Sequence, residues 1–397
     1  MKRKNVKIVL FGLTLKSENK GCEALAYSFM KMLDTVLARL EIHANVSSVV
    51  YQPHHVKLDT DLSAYKNITH NFLPNRKKSV KCQWNILRAV YESDLCIDFT
   101  DGDSFSDLYG QARFFWRTLE KSVAILLGEK MMLGPQTYGP FGRSYVKRWA
   151  AWVIGRADYL YTRDLESSVI IEEMTKRRAV VVTDVAMGLE SDVRELLNSD
   201  KEKIGINISG LLWNGGYQQS NDFGLVVDYK KYVADLIEYC MKRDNTEVYL
   251  IPHVITDIYD SVENDLKACE EIKSKFPQCQ IINKYKIPME IKGYIQQMDV
   301  FTGARMHATI AAFSKGVAVI PFAYSKKFFA LYEALGYPYV IDGRKLTTDE
   351  ALDFTIQYMN QRKCIREKVI KGNEIVQKKL HLFENELERI IKELTIG

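Results

Sequence analysis

The chain has 397 residues, of which 47% are hydrophobic and 26% are charged, and its formal net charge is +5. This length predicts two domains of ordinary size, and the composition is that of a soluble globular protein. The charge is too small to indicate a nucleic-acid binder, and no apolar run approaches the ~18 residues of a membrane-spanning helix.

The chain begins with a basic stretch and a short apolar run at residues 6–13. No small-residue cleavage site follows this run, so it predicts a first β-strand rather than a signal peptide. The seven cysteines are scattered and form no C-x-x-C pair, which is typical of reduced thiols and indicates neither a disulfide framework nor a zinc site. These features predict a cytoplasmic protein.

Strand and helix patterns then alternate along the chain. Apolar, β-branched runs predict strands at residues 46–51, 95–99, 130–133, 159–162, 180–183, 203–208, 247–251, 280–282, 299–303 and 317–320. Helix-prone segments predict helices at residues 21–40, from the basic cluster 75–81 to about residue 92, and at 111–127, 143–156, 163–174, 229–242, 260–276, 289–297, 308–313, 348–361 and 364–394. We expect Pro321 to end the strand that precedes it.

This alternation predicts an α/β protein with two doubly wound, Rossmann-like domains. The rhythm weakens in the polar residues 191–201, so we expect the domains to comprise residues 1–195 and 196–362. A C-terminal helix, within residues 363–397, is amphipathic enough to pack back on the first domain.

Residues 298–321 read as strand, turn, helix and strand, with Arg305 and His307 in the turn and in the first turn of the helix. In doubly wound sheets, ligands bind at the carboxyl ends of the strands, and a helix start offers N–H groups to an anion. These two residues are therefore candidates for binding an anionic substrate. The alternative is a helix-end ion pair beside an ordinary polar histidine.

Two further residues of the second half follow predicted strands. His253 stands at the end of the strand 247–251 and is a second candidate, although a loop histidine without a catalytic role fits nearly as well. Lys326 follows the strand that contains Val317 and can face the same site. The Gly/Asn/Gln-rich loop 209–223 is long enough to contact a substrate.

The first half carries three polar motifs near helix starts and strand ends. Asp101 and Asp103 follow the strand 95–99, where binding of an acceptor hydroxyl or helix capping is favoured over a metal site. Gln136 and Tyr138 lie in a loop stiffened by two prolines and two glycines, a shape suited to holding a sugar. Asn19 is a predicted cap for the helix 21–40.

Two segments are cationic. The cluster 75–78, with Lys81, is either a solvated face or a contact for phosphate on a lipid-linked acceptor. Residues 143–156 are basic and aromatic, and packing against the sheet is favoured over lying on a membrane surface. His54 and His55 are interpreted as solvated loop residues rather than as metal ligands.

Several of these motifs, taken in order, resemble the polysaccharide pyruvyl transferase family. They are an N-x-G helix entry at residues 19–21, P-Q-x-x-G-P at 135–140, R-D at 163–164, D-x-A at 184–186 and R-x-H at 305–307. The resemblance spans residue 6 to about residue 340 and is carried by order and spacing. At residues 101–103 the chain has two carboxylates where the family usually has small residues.

The resemblance implies a GT-B-like fold with two domains facing a cleft, and transfer of a pyruvyl group from phosphoenolpyruvate to two sugar hydroxyls. The product is a pyruvate ketal on a cell-surface polysaccharide, such as an exopolysaccharide or capsule, or on its lipid-linked precursor, and phosphate is released. The donor side is expected in the second domain and the acceptor side in the first.

The same resemblance implies roles for individual residues. We expect Arg305, His307 and Lys326 to bind the donor, and Arg305, His307 and His253 to be catalytic. The residues expected on the acceptor side are Asn19, Gly21, Asp101, Asp103, Gln136 and Tyr138. Neither a cofactor nor a metal nor a nucleic-acid partner is implied, and contact with the inner face of the membrane is an option.

Three rival functions stay open at this point. The first is a GT-B glycosyltransferase that uses a nucleotide sugar, for which Glu333 is the one acidic candidate and no diphosphate loop lies near it. The second is a non-catalytic glycan-binding protein. The third is a nucleic-acid binder, which has only the small positive charge in its favour.

Overall fold

The structure, a computed structural model, describes residues 4–51, 62–108 and 110–396. The chain divides into two compact units. Unit 1 takes the described residues of Met1–Lys16, Leu25–Val185 and Lys378–Gly397, and unit 2 takes those of Ser17–Ala24 and Ala186–Gln377. Each unit contains a parallel sheet connected by helices, so the α/β prediction with two Rossmann-like domains is confirmed.

Unit 1 is built on a seven-stranded sheet. Its strands are β1 (Asn5–Phe11), β2 (His43–Val50), β3 (Ile68–Pro74), β4 (Leu95–Asp98), β5 (Met131–Gln136), β6 (Tyr159–Thr162) and β7 (Val180–Val181). The helices are α1 (Lys20–Leu40), α2 (Val80–Tyr91), α3 (Gln111–Leu126), α4 (Ser144–Arg156) and α5 (Leu165–Thr175). The spatial order is β3-β2-β1-β4-β5-β6-β7, so the direction of winding reverses between β1 and β4.

Unit 2 repeats this plan with six strands. They are β8 (Glu202–Asn207), β9 (Thr246–Leu250), β10 (Gln280–Ile281), β11 (Val300–Gly303), β12 (Ala318–Ala323) and β13 (Ile341–Asp342). The helices are α6 (Gly210–Trp213), α7 (Tyr229–Met241), α8 (Asp265–Lys275), α9 (Pro288–Ile295), α10 (Met306–Ser314), α11 (Lys326–Glu333), α12 (Thr348–Asn360) and α13 (Arg362–Ile396). The order β10-β9-β8-β11-β12-β13 reverses between β8 and β11.

The end of the C-terminal helix belongs to unit 1. The Phe383 ring lies 5.0 Å from the Tyr161 ring of β6 and 6.5 Å from the Phe29 ring of α1. The Tyr161 hydroxyl also donates a hydrogen bond to Glu386 at 3.1 Å. Buried aromatic contacts of this kind account for the assignment of the last turns of α13 to unit 1.

The boundaries of the units differ from the expected residues 195 and 196. Residues 186–195 lie in unit 2 because they are tied to α9. The Asp192 amide donates to the Met289 carbonyl at 2.9 Å, and the buried Lys292 ammonium donates to the Leu189 carbonyl at 2.6 Å. The polar stretch that marked the break in the sequence is therefore part of the second unit.

Four short elements were not predicted from the sequence, namely β3, α6, α11 and β13. The strand β12 also runs through Pro321 to Ala323, so the expectation that Pro321 ends the strand is wrong. Pro321 pairs with Gly303 of β11 on one side, and on the other side the pairing with β13 begins only at Phe322. Pro321 therefore needs no N–H group for the β13 ladder.

None of the helices in the described part of the chain combines the length and the hydropathy needed to cross a membrane.

Candidate active site

The winding of unit 2 reverses between β8 and β11, and the carboxyl ends of these strands place Arg305 and Asn207 together. Arg305 is the N-cap residue of α10, directly after β11, and its amide donates to the Asn207 side-chain oxygen at 2.9 Å. The strands approach closely here, because a Cβ atom on Gly303 would lie 2.7 Å from the Asn207 Cβ. This is the position at which doubly wound sheets bind ligands.

The Arg305 side chain is held by a buried carboxylate, Asp265. Arg305 Nη2 lies 2.8 Å and Nε 3.1 Å from Asp265 Oδ1, and Nη2 also donates to the Glu263 carbonyl at 2.8 Å. Burial alone would lower the pKa of Arg305, but the Asp265 carboxylate outweighs it and raises that pKa above its ordinary value. The guanidinium therefore stays charged inside the unit.

One edge of the guanidinium is not used by this pair. Among hydrogen bonds between described residues, none involves Arg305 Nη1, and 11% of the side-chain surface is exposed. A charged planar group with one bound edge and one available edge is suited to an anionic ligand.

Asp265 is fixed from several sides at the start of α8. Its carboxylate accepts hydrogen bonds from the amides of Gly210 at 2.8 Å, His253 at 3.0 Å and Val254 at 3.0 Å. Asn264 caps the same helix by accepting from the Leu266 amide at 3.1 Å. These hydrogen bonds fix the position and orientation of the carboxylate opposite Arg305.

Sequence reasoning missed Asp265 because it placed the start of this helix near residue 260. The pair Asn264 and Asp265 was the signal that could have found it, since Asn is a preferred cap and Asp is favoured in the first turn of a helix. The structure begins α8 at Asp265, which makes it the central acceptor of the site.

Residues 17–24 belong to unit 2. They bring Asn19 and Gly21, which were both predicted to lie on the acceptor side, to the neighbourhood of Arg305. Asn19 pairs with Val254 in an antiparallel bridge, and the Lys20 amide donates to the His253 carbonyl at 3.1 Å. The Asn19 side chain accepts from the Gly21 amide at 2.9 Å, so the expected cap of α1 is present. The expectation that these residues lie in the first domain is wrong, because the first turn of α1 is built into unit 2.

His307 lies in the first turn of α10 and is half-buried against Gly21. A Cβ atom on residue 21 would lie 2.4 Å from His307 Nδ1 and 2.8 Å from His307 Cβ, which is closer than real contacts allow. Glycine at this position therefore makes room for the imidazole. The N-x-G and R-x-H motifs, far apart in the sequence, meet at this contact.

His253 is 2% exposed, and its Nδ1 atom has no hydrogen-bond partner among the described residues. Burial lowers the pKa of His253 well below its ordinary value, and the nearby positive charges of His307, Arg305 and Lys20 lower it further. The ring is therefore neutral near neutral pH.

Other residues of unit 2 lie at the margin of this group. Lys326 is exposed in the first turn of α11 and follows β12, the neighbour of β11. The loop that contains Tyr217 also reaches the group, because the Tyr217 hydroxyl donates to the Glu263 side chain at 2.6 Å. The backbone carbonyl of Glu263 in turn holds Arg305. The expected substrate loop thus lies beside the Arg305–Asp265 pair.

In unit 1 the corresponding turn, after β4, has the opposite arrangement of charge. Asp101 accepts from Arg113 at 2.9 Å and from Arg117 at 2.6 Å, and it adopts a positive φ of 54°. Asp103 is half-buried in the same turn. Within the described residues, no group of three or more His, Cys, Asp or Glu side chains is placed to hold a metal ion, and His54 and His55 lie outside those residues.

Gln136 and Tyr138 are fully buried in unit 1. The Gln136 amide donates to the side chain and the carbonyl of Asp98, both at 3.1 Å, and the Tyr138 hydroxyl donates to the Tyr161 carbonyl at 3.1 Å. Gln136 Oε1, by contrast, is buried and has no hydrogen-bond partner among the described residues. Both side chains are thus enclosed in the core of unit 1, and their contact with an acceptor stays a prediction.

The R-D and D-x-A motifs also form a buried network in unit 1. Arg163 donates to Asp184 at 2.8 Å and to the Thr137 hydroxyl at 2.7 Å, and Thr137 donates to Asp164 at 3.1 Å. Asp164 caps α5 by accepting from the Ser167 amide. These motif residues hold the loop after β5 in place and have little exposed surface.

Comparison with solved structures supports the same fold. Over 98% of its length the chain is similar to the Anabaena protein HepE in complex with UDP-glucose, with a TM-score of 0.58, 9% identity and 100% of that chain covered. Sucrose-phosphate synthase from Thermosynechococcus elongatus gives 0.60, 11% identity and coverage of 98% and 99%. UDP-GlcNAc 2-epimerase from Neisseria meningitidis bound to UDP-GlcNAc gives 0.58, 12% identity and coverage of 96% and 99%.

At these identities the similarity shows the fold alone, which is that of GT-B glycosyltransferases and epimerases with two Rossmann-like domains. The sequence matches the profile of the family described as polysaccharide pyruvyl transferase over residues 19–326. The chain belongs to this family, and it is therefore a transferase of polysaccharide biosynthesis. No curated protein matches the sequence.

Replacing Asp265 with Asn should strongly destabilise the protein. The variant leaves the buried Arg305 without its counter-charge, and breaking a buried ion pair from one side costs roughly 3–5 kcal/mol. Urea unfolding of the variant measures this loss. Asp349→Asn is the matched control, because Asp349 pairs with Lys231 at the surface and should cost about 1 kcal/mol or less. Equal losses in the two variants would contradict the buried-pair account.

The lowered pKa of His253 predicts a pH dependence of stability. In the unfolded chain a histidine takes up a proton near pH ~6.5, whereas buried His253 does so only at much lower pH. The effect of this ring on stability is therefore absent above pH ~6.5, and below pH ~6.5 it lowers the free energy of unfolding progressively, by up to about 1.4 kcal/mol per pH unit.

The test compares the free energy of unfolding of wild type and His253→Gln between pH 7 and pH 5. The wild-type value should fall more steeply. His70, whose pKa burial lowers to about 4, adds a contribution of the same sign to both proteins and cancels in the comparison. Parallel curves for the two proteins would show that His253 is not buried in its neutral form.

Proposed function

We propose that the protein forms a pyruvate ketal on a sugar of a cell-surface polysaccharide or of its lipid-linked precursor, with phosphoenolpyruvate as the donor. The observation that carries the proposal is the charged Arg305, clamped by buried Asp265 at the end of β11, with His307 two residues further on. The family of the chain supports the polysaccharide acceptor.

The donor is small and carries a carboxylate and a phosphate. Binding it requires a planar cationic group with donors in a fixed geometry, which arginine supplies and lysine does not. Arg305 is proposed as the anchor, with its Nη1 edge toward the donor. Lys326, exposed at the start of α11, is proposed as a second cationic contact.

The chemistry needs an acid for the donor's methylene carbon and a base for each sugar hydroxyl. Imidazole side chains can donate and accept protons near neutral pH. His307 is proposed as the acid because it is half-buried beside Arg305 rather than enclosed. His253 is less suited to that role, since burial and neighbouring cations lower its pKa and keep it neutral.

The proposed reaction proceeds by addition and then by displacement. A proton is added to the methylene carbon, which becomes a methyl group, while the first sugar hydroxyl adds to the central carbon. The donor's carboxylate offsets the charge that develops there. Phosphate then leaves, the second hydroxyl adds to the same carbon, and the ring closes as a ketal.

On the acceptor side, we propose that Asp103 contacts a sugar hydroxyl. Asp101 is less suited to contact the acceptor, because Arg113 and Arg117 already bind its carboxylate. Asn19 and Gly21 are proposed to shape the site by supporting the turn beneath His307. Gln136 and Tyr138 act through the core, because both are buried.

The rival function is transfer from a nucleotide sugar, which the fold also accommodates. A thermal-shift comparison separates the two, because a ligand stabilises the native state only if it binds that state. Phosphoenolpyruvate should raise the unfolding temperature, and UDP-glucose and UDP-N-acetylglucosamine should not. A shift with a UDP-sugar and none with phosphoenolpyruvate would overturn the proposal.

Changing Arg305 to Lys should weaken donor binding while retaining the positive charge opposite Asp265. Lysine cannot make the paired hydrogen bonds, so the loss should be roughly 2–5 kcal/mol of binding free energy. Calorimetric titration with phosphoenolpyruvate measures it. Arg194→Lys, at an exposed site, is the control. Wild-type affinity in folded Arg305→Lys would show that Arg305 is not the anchor.

Changing His307 to Asn should leave donor binding nearly normal and lower turnover by on the order of 10²–10⁴, because asparagine cannot deliver a proton. In heavy water, the product methyl group of the wild-type reaction should carry one deuterium per turnover, which mass spectrometry detects. A wild-type rate for His307→Asn together with an inactive His253→Asn would assign the acid to His253 instead.

Changing Gly21 to Ala should displace the His307 ring, because the Cβ atom added at residue 21 would overlap the Nδ1 and Cβ atoms of His307. Overpacking of this kind costs about 1–3 kcal/mol. We expect a lower turnover number with a native circular-dichroism spectrum. Gly155→Ala is the matched control, since a Cβ at that helical position meets nothing within 4 Å. Unchanged turnover in Gly21→Ala would separate this contact from catalysis.

A further inference from the structure

Helix α2 in unit 1 carries a second apolar face that points to solvent. Its core face holds Ile86 and Val90, which are buried. On a separate face of the helix, the four large exposed side chains at positions i, i+4, i+7 and i+11 are Val80, Trp84, Leu87 and Tyr91. Their exposed fractions run from 37% for Leu87 to 85% for Val80. This spacing forms one stripe on a helix.

The stripe is surrounded by positive charge. The cations of residues 76–92 are Arg76, Lys77, Lys78, Lys81 and Arg88, and the only acid in this range is Glu92, so the range has a net charge of +4. Glu92 is already shared by Arg88 at 2.7 Å and Lys7 at 3.3 Å. The apolar stripe of α2 is therefore framed by cations.

The helix is held rigidly, so the stripe is a fixed surface. Ser79 caps its start, and Gln83 donates to the Asn75 side chain at 2.8 Å. Asn75 in turn donates to Glu120 of α3 at 2.8 Å. The Lys77 ammonium also lies 5.2 Å from the centre of the Trp116 ring, which is on α3. The cationic start of α2 thus continues onto an aromatic part of α3.

We propose that this face of α2 docks on the surface of an anionic lipid bilayer. Basic amphipathic helices with a tryptophan on the apolar side lie in the interfacial plane, with the apolar side chains among the acyl chains and the cations at the headgroups. Trp84 and Tyr91 are residue types that favour this interface. This inference does not depend on the identity of the proposed donor, because all the observations behind it concern unit 1.

Charge complementarity favours a bilayer over a second copy of the chain. A two-fold contact through α2 would place two sets of five cations against each other, which opposes association. An anionic bilayer offers the opposite charge and an apolar layer beneath it. A phosphate group alone would account for the cations but not for the apolar stripe, because a phosphate offers no apolar surface.

The test is co-sedimentation of the full chain with vesicles of phosphatidylcholine alone and of phosphatidylcholine with phosphatidylglycerol. The wild type should bind the anionic vesicles more tightly, and salt should weaken that binding. Trp84→Gln with Leu87→Gln should lower the partition coefficient by at least about tenfold, because it removes apolar contact. Lys78→Gln with Lys81→Gln should abolish the preference for anionic vesicles.

The chain offers a matched control on α5. Leu165 and Val169 form an exposed apolar pair at the same i, i+4 spacing, but the helix carries Glu166, Glu172 and Glu173 and no Lys or Arg. Leu165→Gln with Val169→Gln should bind vesicles like the wild type. Circular dichroism and the unfolding temperature of each variant show that its fold is retained.

Four results would overturn the proposal. They are an absence of vesicle binding, equal binding to both kinds of vesicle, wild-type binding by the Trp84/Leu87 variant, and an equal loss in the α5 control. Sedimentation velocity tests the alternative that the stripe is a contact between copies of the chain. If the wild type self-associates without lipid and the Trp84/Leu87 variant is monomeric, the stripe is an interface between copies of the chain and the bilayer is excluded.

Discussion

The site in unit 2 depends on one buried ion pair, Arg305 with Asp265. A guanidinium taken out of water needs a partner, and Asp265 supplies it at 2.8 Å while itself accepting from three backbone amides. The pair links three segments, because it joins the end of β11 to the start of α8 and to the loop that carries His253. A shift of Asp265 would therefore also shift the Arg305 guanidinium and the surroundings of His253 and His307.

The same place in the two units carries opposite electrostatics. The strands β4 and β11 are each fourth in their sheet order and adjoin the point at which winding reverses. After β4 a carboxylate, Asp101, is held by two arginines, whereas after β11 an arginine is held by one carboxylate. Arg117 Nη1 in the first arrangement is buried without a hydrogen-bond partner among the described residues, whereas the Arg305 side chain in the second keeps 11% of its surface exposed. The partly exposed Arg305 cation is the physical reason for the proposal that an anionic donor binds in unit 2.

The sequence predicted those parts of the fold and site that depend on local pattern. The predicted strand 299–303 and the helix after it placed Arg305 and His307 correctly at the end of a strand. A hydrophobic run and a helix start can each be recognised from a few consecutive residues. The pattern could not find Asp265, whose role depends on contacts 40 residues away in the sequence. Nor could it show that residues 17–24 join unit 2, since that follows from backbone pairing with Val254 rather than from composition.

The loop after β5 in unit 1 is a case in which local pattern did not show where the side chains lie. The loop with Gln136 and Tyr138 looked like a sugar site because prolines and glycines fix its shape, but that shape turns both side chains into the core. A stiff loop after a strand serves packing as well as binding, and sequence pattern alone does not separate the two. Here both side chains are buried, which is the pattern of packing residues.

The most direct test of the central claim is a double-mutant cycle for phosphoenolpyruvate binding, with Asp265→Asn, Arg305→Lys and the double variant measured by calorimetry. If Asp265 acts by positioning Arg305, Asp265→Asn should weaken binding in the wild-type background and have little further effect once Arg305 is Lys. Independent, additive losses, or unchanged affinity in folded Asp265→Asn, would contradict the account.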